Sequence, residues 1–491
     1  MYRTCEVGAT LSESIYLGID IGTTSAKCLA VDDQGATLAF AQHPYAMSHP
    51  REGWAEQDPE DYWKGLTNVV RQCVTELRSL GRDSSSIRAL AMSTQGDTLI
   101  VADQSGCPVI PAISWMDMRA QEECQELLAE RDQRFWYEET GLMLTPYSSA
   151  CKIRWLSRHK PEFFSDPSIR FCFVPDFITL RLTGKFVTDV PSASWQPMFC
   201  PRERAVSESV LSLIGVARER IAMPVESGTP VGELLPEAAQ ELGLSCRTQV
   251  IAGAFDQAAA AHGAGAKAGE RSVLSCGTAW VLYSVTHSPV RDETSCLPIC
   301  CHTSSDKWGL VLPFTGGAAY DWLKRTIGSE TGEISDSEPP VFIPHLYGGL
   351  CPDWRGDSRG SLVGLTMSHT QKDIQFALMR GIASEARRNL EAAEKIGVEI
   401  GSVRMVGGAG KSNIWPQMIA NILNRPVEVS NLTESACYGA AKLAARQRSE
   451  WSATESGSEF VPVPEQVEFE DRQYRRYLRF YEALLEAYSN A

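Results

Sequence analysis

The six residues Asp20-Ile21-Gly22-Thr23-Thr24-Ser25 stand between two apolar runs, 15–19 and 26–31, that have the composition of β-strands. Glycine lets the chain turn there with its amide groups exposed, and the threonine hydroxyls add hydrogen-bond donors. A carboxylate at the end of a strand can hold a hydrated Mg²⁺ ion. Taken alone, the stretch fits either an ordinary β-hairpin or a hairpin that grips a phosphate.

A second strand–turn–strand pattern begins at Arg271 and carries Gly277-Thr278 in its turn. This recurrence favours two phosphate-binding hairpins that face one cleft. Around them strands alternate with helices, including an amphipathic helix predicted over 373–396 and a last helix over 471–488. The sequence therefore predicts two similar α/β halves with a cleft between them, which is a preferred place for a small ligand.

Composition excludes several classes of protein. Of the 491 residues, 43% are hydrophobic and 22% charged, which is typical of a globular chain. The net charge of −15 argues against a nucleic-acid or anionic-membrane partner, because such surfaces need clustered Lys and Arg. No 18 apolar residues run without a charge, and residues 1–14 do not resemble a signal peptide, so we expect no membrane span and a cytoplasmic protein.

The chain has 15 cysteines, an odd number that indicates reduced thiols in a reducing compartment. One cluster, Cys296, Cys300, Cys301 and His302, could suggest a metal site. Its neighbours look like a strand and no second ligand pair follows at zinc-like spacing, so core thiols are the preferred interpretation.

Asp256 comes directly after an apolar strand that begins at Gln249, and it precedes an alanine-rich helix. Such a carboxylate near a helix N-terminus is held in its anionic form, as a general base requires. An ordinary N-cap aspartate is the alternative. Further along, Gly407-Gly408-Ala409-Gly410-Lys411-Ser412 resembles a P-loop, but the pattern needs a glycine where this chain has Met405. What remains is a glycine turn against which a nucleotide could pack, and Gly316-Gly317 is a second one.

These features together resemble the FGGY family of carbohydrate kinases, whose members have the two actin-like (ribonuclease H-like) ATPase lobes of the actin and hexokinase superfamily. The resemblance extends from about Tyr16 to Ala445. The matching stretches are Asp20–Ser25, Trp115–Arg119, Tyr147–Trp155, Asp176–Gly184, Gly253–Gln257, Ser275–Thr278, Arg359–Leu365 and Gly407–Ser412. Each motif is short, but eight in the right order are specific.

The resemblance implies ATP-dependent phosphorylation of a sugar or polyol hydroxyl. It makes Asp256 the general base and Asp20 the residue that organises Mg²⁺. The residues expected to contact ATP are Thr23, Thr24, Ser25, Gly277, Thr278, Gly316, Gly317, Gly408, Ala409 and Asn413. Phosphoryl transfer needs positioning and charge neutralisation more than covalent help from the protein, which agrees with this set.

The resemblance also implies a substrate-contacting loop after a strand, at Ser93-Thr94-Gln95-Gly96-Asp97-Thr98. Glycerol-specific members of the family carry an Arg-Glu pair after the glutamine, and xylulose-specific members carry Met-His. Glycine in place of the arginine is expected to open space for a longer polyol or a ketose, and a ketopentose-like substrate is the preferred prediction. The residues expected to bind substrate are Gln95, Asp97, Trp115, Asp117, Asp256 and Gln257.

Other roles stay open at this point. Trp54 and Trp115 could be flat surfaces for a sugar or core residues, and Arg119 is expected to pair with a neighbouring carboxylate. The alternatives to a ketopentose are glycerol, erythritol or gluconate, of which an acidic sugar is less favoured because no basic cluster lies near these loops. A non-catalytic sugar-binding or actin-like ATPase protein is the other class. Similar proteins are often dimers.

The expected organisation has four parts. An N-terminal tail over 1–14 precedes a sugar-binding domain over 15–265. A nucleotide-binding domain over 266–447 follows, and 448–491 form a linker and a C-terminal helix. Arg380 stands where similar chains often carry an acidic residue, and the sequence offers no physical account of it.

Overall fold

The computed structural model describes residues 14–294, 296–328, 333–412, 414–446, 451 and 456–489. The predicted tail and the candidate Asn413 lie outside this part of the chain, except for Ser14. The described residues form two α/β lobes, each built on a mixed sheet.

The sheet of the first lobe begins with the predicted antiparallel hairpin. Ile15–Ile21 pairs with Ser25–Asp32, which pairs with Thr37–Pro44, as the sequence predicts. On the other side, two parallel strands continue the sheet. Its strands, in spatial order, are Pro230–Glu233, Gln249–Phe255, Ile87–Thr94, Ile15–Ile21, Ser25–Asp32 and Thr37–Pro44.

The sheet of the second lobe repeats this arrangement. Its central strand Arg271–Cys276 pairs antiparallel with Ala279–Thr286 on one side and parallel with Ser402–Gly407 on the other. The order of its strands is Ile299–Cys301, Trp308–Thr315, Ala279–Thr286, Arg271–Cys276, Ser402–Gly407, Val427–Ser430 and Ser456–Phe460. Both predicted Gly-Thr turns therefore lie at equivalent places in the two sheets.

Helices cover the faces of both sheets. Pro59–Ser79 illustrates the local cause, because Asp58 caps its first turn and an apolar face with Tyr62, Leu66 and Val70 is buried against the first sheet. The other α-helices of the first lobe are Gln121–Glu130, Gln133–Thr140, Ser149–His159, Glu162–Ser165, Val174–Thr183, Val190–Ser194, Glu208–Ile214, Pro236–Leu242 and Asp256–Gly263. In the second lobe they are Gly317–Ile327, Gln371–Lys395, Trp415–Leu423, Ser435–Ala444 and Pro464–Ser489.

Short strands and 3₁₀ turns complete the described structure. A small sheet of the first lobe contains Glu56–Gln57, Ala112–Ile113, Leu99–Ala102 and Arg170–Phe173. The paired short strands are Phe199–Cys200 with Ala205–Val206, Met223–Val225 with Val187–Asp189, and Val341–Ile343 with Ser361–Val363. The 3₁₀ turns are Ser84–Ser86, Arg218–Arg220 and Gly408–Lys411.

The helix Ser435–Ala444 joins the two lobes by close backbone contact. It packs against the first-lobe strand Ile15–Ile21 and the helix Asp256–Gly263. A Cβ atom at Gly18 would overlap the carbonyl oxygen of Cys437, and one at Gly439 would overlap that of Ala259. Glycine is therefore required at this crossing.

The C-terminal segment packs on the second lobe. The expected linker is wrong for Ser456–Phe460, which forms an edge strand against Val427–Ser430. The last helix begins at Pro464, seven residues before its predicted start, and Tyr477 and Tyr481 are buried against the strand Val341–Ile343. Edge pairing satisfies backbone groups that a linker would leave to solvent.

Candidate active site

The candidate active site lies where three parallel strands of the first sheet end. Ile15–Ile21, Ile87–Thr94 and Gln249–Phe255 run side by side, with Asp20 next to Ser93 and Phe255 next to Thr94 in register. Ligands of open α/β sheets bind in the crevice at the carboxyl ends of such strands. This edge carries the predicted Asp20 and Asp256 and the loop that begins at Gln95.

The two carboxylates interact electrostatically at this edge. Burial, and then the negative charge of Asp20, raise the pKa of Asp256 to about 7, although the backbone N–H of Gln257 donates a 2.6 Å hydrogen bond to its Oδ1 atom. Burial also raises the pKa of Asp20, whose Oδ1 accepts a 2.8 Å hydrogen bond from Ser93. A carboxyl group with a pKa near neutrality has the value that suits a general base.

The loop after Ile87–Thr94 presents two unpaired polar atoms. Among the described residues, the buried Nε2 of Gln95 and Oδ1 of Asp97 have no hydrogen-bond partner. Asp97 has a left-handed φ of 52°, a conformation that is uncommon for a residue with a side chain. Such groups are typical of a ligand site, since buried polar atoms are normally paired.

A fully buried lysine holds this loop in place. The Nζ atom of Lys152 donates to the carbonyl oxygens of Ser114, at 2.8 Å, and Asp97, at 3.4 Å. The Oδ2 atom of Asp97 accepts from the backbone N–H of Ser149 at 3.0 Å. Burial lowers the pKa of Lys152 to about 8 and raises that of Asp97 to about 6. The helix Ser149–His159 thus fixes the conformation of Asp97.

The prediction of open space beside Gly96 is wrong. A Cβ atom at Gly96 would overlap Cδ1 of Trp195 and would lie 3.0 Å from both Nε1 of Trp195 and Cε2 of Phe255. The indole of Trp195 therefore occupies the volume next to the glycine. It comes from the end of the helix Val190–Ser194, about 100 residues further along the chain.

The two predicted tryptophans have different surroundings. Trp115 is 43% exposed, and its Nε1 donates a 3.0 Å hydrogen bond to Oγ1 of Thr23. This hydrogen bond therefore connects the segment around Trp115 to the phosphate turn at Thr23. Trp54 packs edge-on against Trp155 and under the guanidinium of Arg119, which is a packing role.

Asp117 is placed inside the protein, away from the cleft surface. It is completely buried, and its oxygens accept hydrogen bonds from the backbone N–H of Ala55 and from the backbone and guanidinium of Arg119. Arg119 also binds Glu56 at 2.7 Å, so its predicted carboxylate pairing is confirmed. The expected contact of Asp117 with substrate is not supported by this position, because the carboxylate is already saturated. Gln257 remains half-buried on the first turn of the helix Asp256–Gly263.

Two hydrogen bonds hold the phosphate turn of the first lobe, residues 22–25, in place. The N–H of Gly22 donates to the carbonyl of Ser25 at 3.1 Å, and the hydroxyl of Tyr45 donates to the carbonyl of Gly22 at 2.5 Å. Thr24 is exposed at the tip of the turn. The hydroxyl of Ser25 is buried and accepts from Gln42 at 3.2 Å, so it faces away from the expected ATP position.

Four glycines of the second lobe form a shallow cradle. The N–H groups of Gly317 and Ala318 donate to the carbonyls of Gly277 and Thr278 at 3.1 and 2.9 Å, which joins the two predicted nucleotide segments. Gly316 cannot carry a side chain, because its Cβ would overlap the indole of Trp280. At Gly408 a Cβ would meet nothing within 4 Å. Gly277, Thr278 and Gly408 are exposed, and Ala409 is half-buried beside them.

Sequence reasoning missed several residues of this site. They are Ser93, which bonds Asp20; Lys152 and Ser149, which hold Asp97; Trp195, which covers Gly96; and the pair Lys27–Glu434, 2.7 Å apart. Ser93 stands in the quoted loop motif and could have been found there. Ser149 and Lys152 stand in the matching stretch Tyr147–Trp155, which does not indicate their contact with Asp97. Trp195 and Glu434 come from distant segments and give no local signal.

In the cysteine-rich segment, as in the rest of the described chain, no three His, Cys, Asp or Glu side chains come together as metal ligands would. Cys300 and Cys301 are buried in an edge strand, and His302 makes a 3.0 Å hydrogen bond with Tyr283. The predicted core thiols are confirmed. The described helices also include none that is long and apolar enough to cross a bilayer.

Two sheets of equivalent order, with a Gly-Thr turn at the same place in each, give the two-lobed arrangement that the sequence predicts for an actin-like ATPase fold. The models of the FGGY family of carbohydrate kinases match the chain over both lobes, the N-terminal domain at residues 15–263 and the C-terminal domain at 317–448. The chain belongs to this family, and it is a carbohydrate kinase.

Relatives of known name differ in their substrates. The chain is 28% identical to a xylulose kinase of Escherichia coli K12, with 88% of this chain and 89% of that protein covered. It is also 28% identical to a glycerol kinase of Bordetella parapertussis, with 89% of both covered. A xylulose kinase structure from Rhodospirillum rubrum has a TM-score of 0.87 at 26% identity, covering 97% of this chain and 100% of that one. A gluconate kinase structure from Lactobacillus acidophilus has a TM-score of 0.89 at 22% identity, covering 97% and 99%, and supports the fold alone.

Proposed function

We propose that this kinase transfers the γ-phosphoryl group of ATP to a hydroxyl group of a ketopentose-like sugar, with Asp256 as the general base. The observation that carries the proposal is the position of Asp256 at the carboxyl ends of parallel strands, where Asp20 and the loop Gln95-Gly96-Asp97 also lie. The xylulose kinases among the relatives support a ketopentose.

In this proposal the substrate lies between the loop Gln95–Asp97 and Asp256. Asp256 accepts the proton of the attacking hydroxyl, whose oxygen forms a bond to the γ-phosphorus while the bond from that phosphorus to the ADP oxygen breaks. Gln95 and Asp97 orient the other hydroxyls through their free Nε2 and Oδ1 atoms. Positioning of this kind supplies a large part of the rate enhancement of a bimolecular reaction.

The first lobe has a place for Mg²⁺ beside Asp20. A Cβ atom on Gly22 would lie 3.8 Å from Oδ2 of Asp20, so the side of the turn that faces this oxygen carries no side chain. Mg²⁺ binds proteins through one or two carboxylates together with substrate phosphates, and one carboxylate fits that need. When bound, the ion neutralises charge on the phosphates. Thr23 and Thr24 then contact the phosphates through their N–H and hydroxyl groups.

The nucleotide is placed on the cradle of the second lobe. Gly277 and Thr278 approach its phosphates, while Gly316, Gly317, Gly408 and Ala409 let its base and ribose lie close to the backbone. Asn413 is proposed for the same site on the resemblance alone. Closure of the lobes about the helix Ser435–Ala444 would exclude water and limit hydrolysis of ATP.

An ADP-release assay over ketoses, alditols, glycerol and gluconate tests the proposal. We expect a ketopentose to give the highest kcat/KM. A best rate with glycerol or gluconate would overturn the substrate class. If ATP binds and no sugar or polyol increases ADP release, catalysis of sugar phosphorylation is refuted.

A further inference from the structure

Beside the proposed base lies an aromatic pair that neither the sequence motifs nor the reaction explains. The rings of Trp195 and Phe255 stack with their centroids 4.6 Å apart and an angle of 14° between their planes. Phe255 directly precedes Asp256 in the chain, and the indole of Trp195 is partly exposed. The stack therefore lies directly before the general base in the chain, with part of Trp195 open to solvent.

The position of the Trp195 indole requires a glycine at residue 96. The indole fits against the loop only because residue 96 lacks a side chain, since a Cβ there would overlap Cδ1 and approach Nε1 to 3.0 Å. The third neighbour of that Cβ is Cε2 of Phe255, also at 3.0 Å. Any residue larger than glycine would have to displace the stack, which is held rigidly at the strand end.

The polar atoms on either side of Gly96 select the chemistry of what rests there. Gln95 offers a donor, Nε2, and Asp97 offers an acceptor, Oδ1, and both atoms are buried without partners among the described residues. A hydroxyl group donates and accepts, so a neutral polyol satisfies both. A carboxylate placed there would meet the charge of Asp97, while the nearby cations Lys152 and Arg119 already bind backbone carbonyls and the carboxylates of Asp117 and Glu56.

We propose that Trp195, packed against Gly96, is a specificity-determining apolar wall of the sugar site, and that Asp97 beside it makes the site select neutral polyhydroxyl substrates over sugar acids. The C–H face of the substrate packs on the indole, and its hydroxyls bind Gln95 and Asp97. This inference rests on the proposed function, because it assigns the wall to the same site. Aromatic faces bind such C–H surfaces by apolar contact, so the wall acts on binding more than on chemistry.

A double-mutant cycle between Gly96→Ala and Trp195→Ala tests the contact between residue 96 and the indole. We expect each single variant to raise the KM for the best sugar at least ~10-fold, the lower range for a lost pocket contact, and to leave the KM for ATP unchanged. In the Trp195→Ala background, Gly96→Ala should cost less than ~2-fold, because the indole atoms that its Cβ would overlap are gone. Gly356→Ala is the matched control, since nothing lies within 4 Å of its added methyl group.

The substrate class is tested with a ketopentose, a pentitol and a five-carbon aldonate. We expect the aldonate to have a kcat/KM at least ~10²-fold below that of the neutral sugar, and Asp97→Asn to narrow this ratio. An aldonate as good as the ketose overturns the selection of neutral substrates. Additive effects in the cycle overturn the role of Trp195.

A thermal-shift measurement with the same compounds separates this inference from the proposed function. If a sugar is phosphorylated or stabilises the chain, but the effects of the two substitutions on KM are additive, only the role of Trp195 as a wall is refuted. If none of the compounds is phosphorylated or bound, the sugar site itself is refuted and the wall falls with it.

Discussion

Replacing Asp256 with asparagine removes the proposed base. It also removes a negative charge whose burial lowers the stability of the folded state. The carboxyl titrates at about 7 in the folded protein, against an ordinary value of 3.8. We therefore expect opposite effects in one variant: turnover falls at least ~10²-fold, the usual contribution of a general base, while the folded state becomes more stable at neutral and alkaline pH.

The sign of the stability effect follows from proton binding. Between pH 4 and 7 the unfolded chain has lost the proton of Asp256 while the folded chain keeps it, so the folded state binds more protons and its stability falls as pH rises. The two pKa values set a ceiling of about 4 kcal/mol on this loss, at 1.36 kcal/mol for each factor of ten. Solvent reaches the half-buried carboxyl and reduces the effect, so we expect about 1–3 kcal/mol above pH 7.

Thermal unfolding at pH 4.5 and pH 8 measures this. For a chain of 491 residues, 1 kcal/mol corresponds to about 1 °C in Tm. The variant should exceed the parent by no more than about 1 °C at pH 4.5, where the unfolded carboxyl is already mostly ionised, and by about 1–3 °C at pH 8. Asp117→Asn is the control, because it should lower Tm at pH 8 by leaving the buried Arg119 short of a partner. An Asp256→Asn variant with near-normal turnover, or with a lower Tm at pH 8, would refute the reasoning.

Three further predictions follow from the same geometry. The pH profile of kcat/KM should rise through an apparent pKa near 7, because Asp256 must lose its proton to act as a base; a flat profile between pH 5.5 and 8.5 would contradict this. Arg380→Ala should lower Tm, because it breaks the 2.7 Å ion pair with Glu470 that holds the last helix. The charge swap Arg380→Glu with Glu470→Arg should recover part of the lost Tm. If Tm does not recover, the pair does not hold the helix. Gly439→Val should prevent soluble expression, whereas Gly397→Val, with nothing within 4 Å of its added Cβ, should cost only its backbone strain; equal expression of both variants would refute the tight crossing.

Part of the candidate site could be predicted from the sequence because some of its residues carry local signals. Asp20 and Asp256 follow apolar strands, and strand ends meet at one edge of a parallel sheet. The Gly-Thr turns were visible because glycine and short hydroxyl residues mark turns wherever they occur. Ser25 has the right type for the phosphate turn, but its hydroxyl faces Gln42, which the sequence pattern does not specify.

By itself the sequence determined the two hairpins, the strands and helices around them, the family and the position of Asp256. Local alternation, capping and glycine turns are properties of neighbouring residues, so they are legible along the chain. Only the tertiary structure decided that Trp195 fills the space beside Gly96 and that Arg380 pairs with Glu470, 90 residues away. These contacts depend on how whole helices and strands pack. Packing brings together side chains that are far apart in the sequence, and no local sequence pattern predicts such pairs.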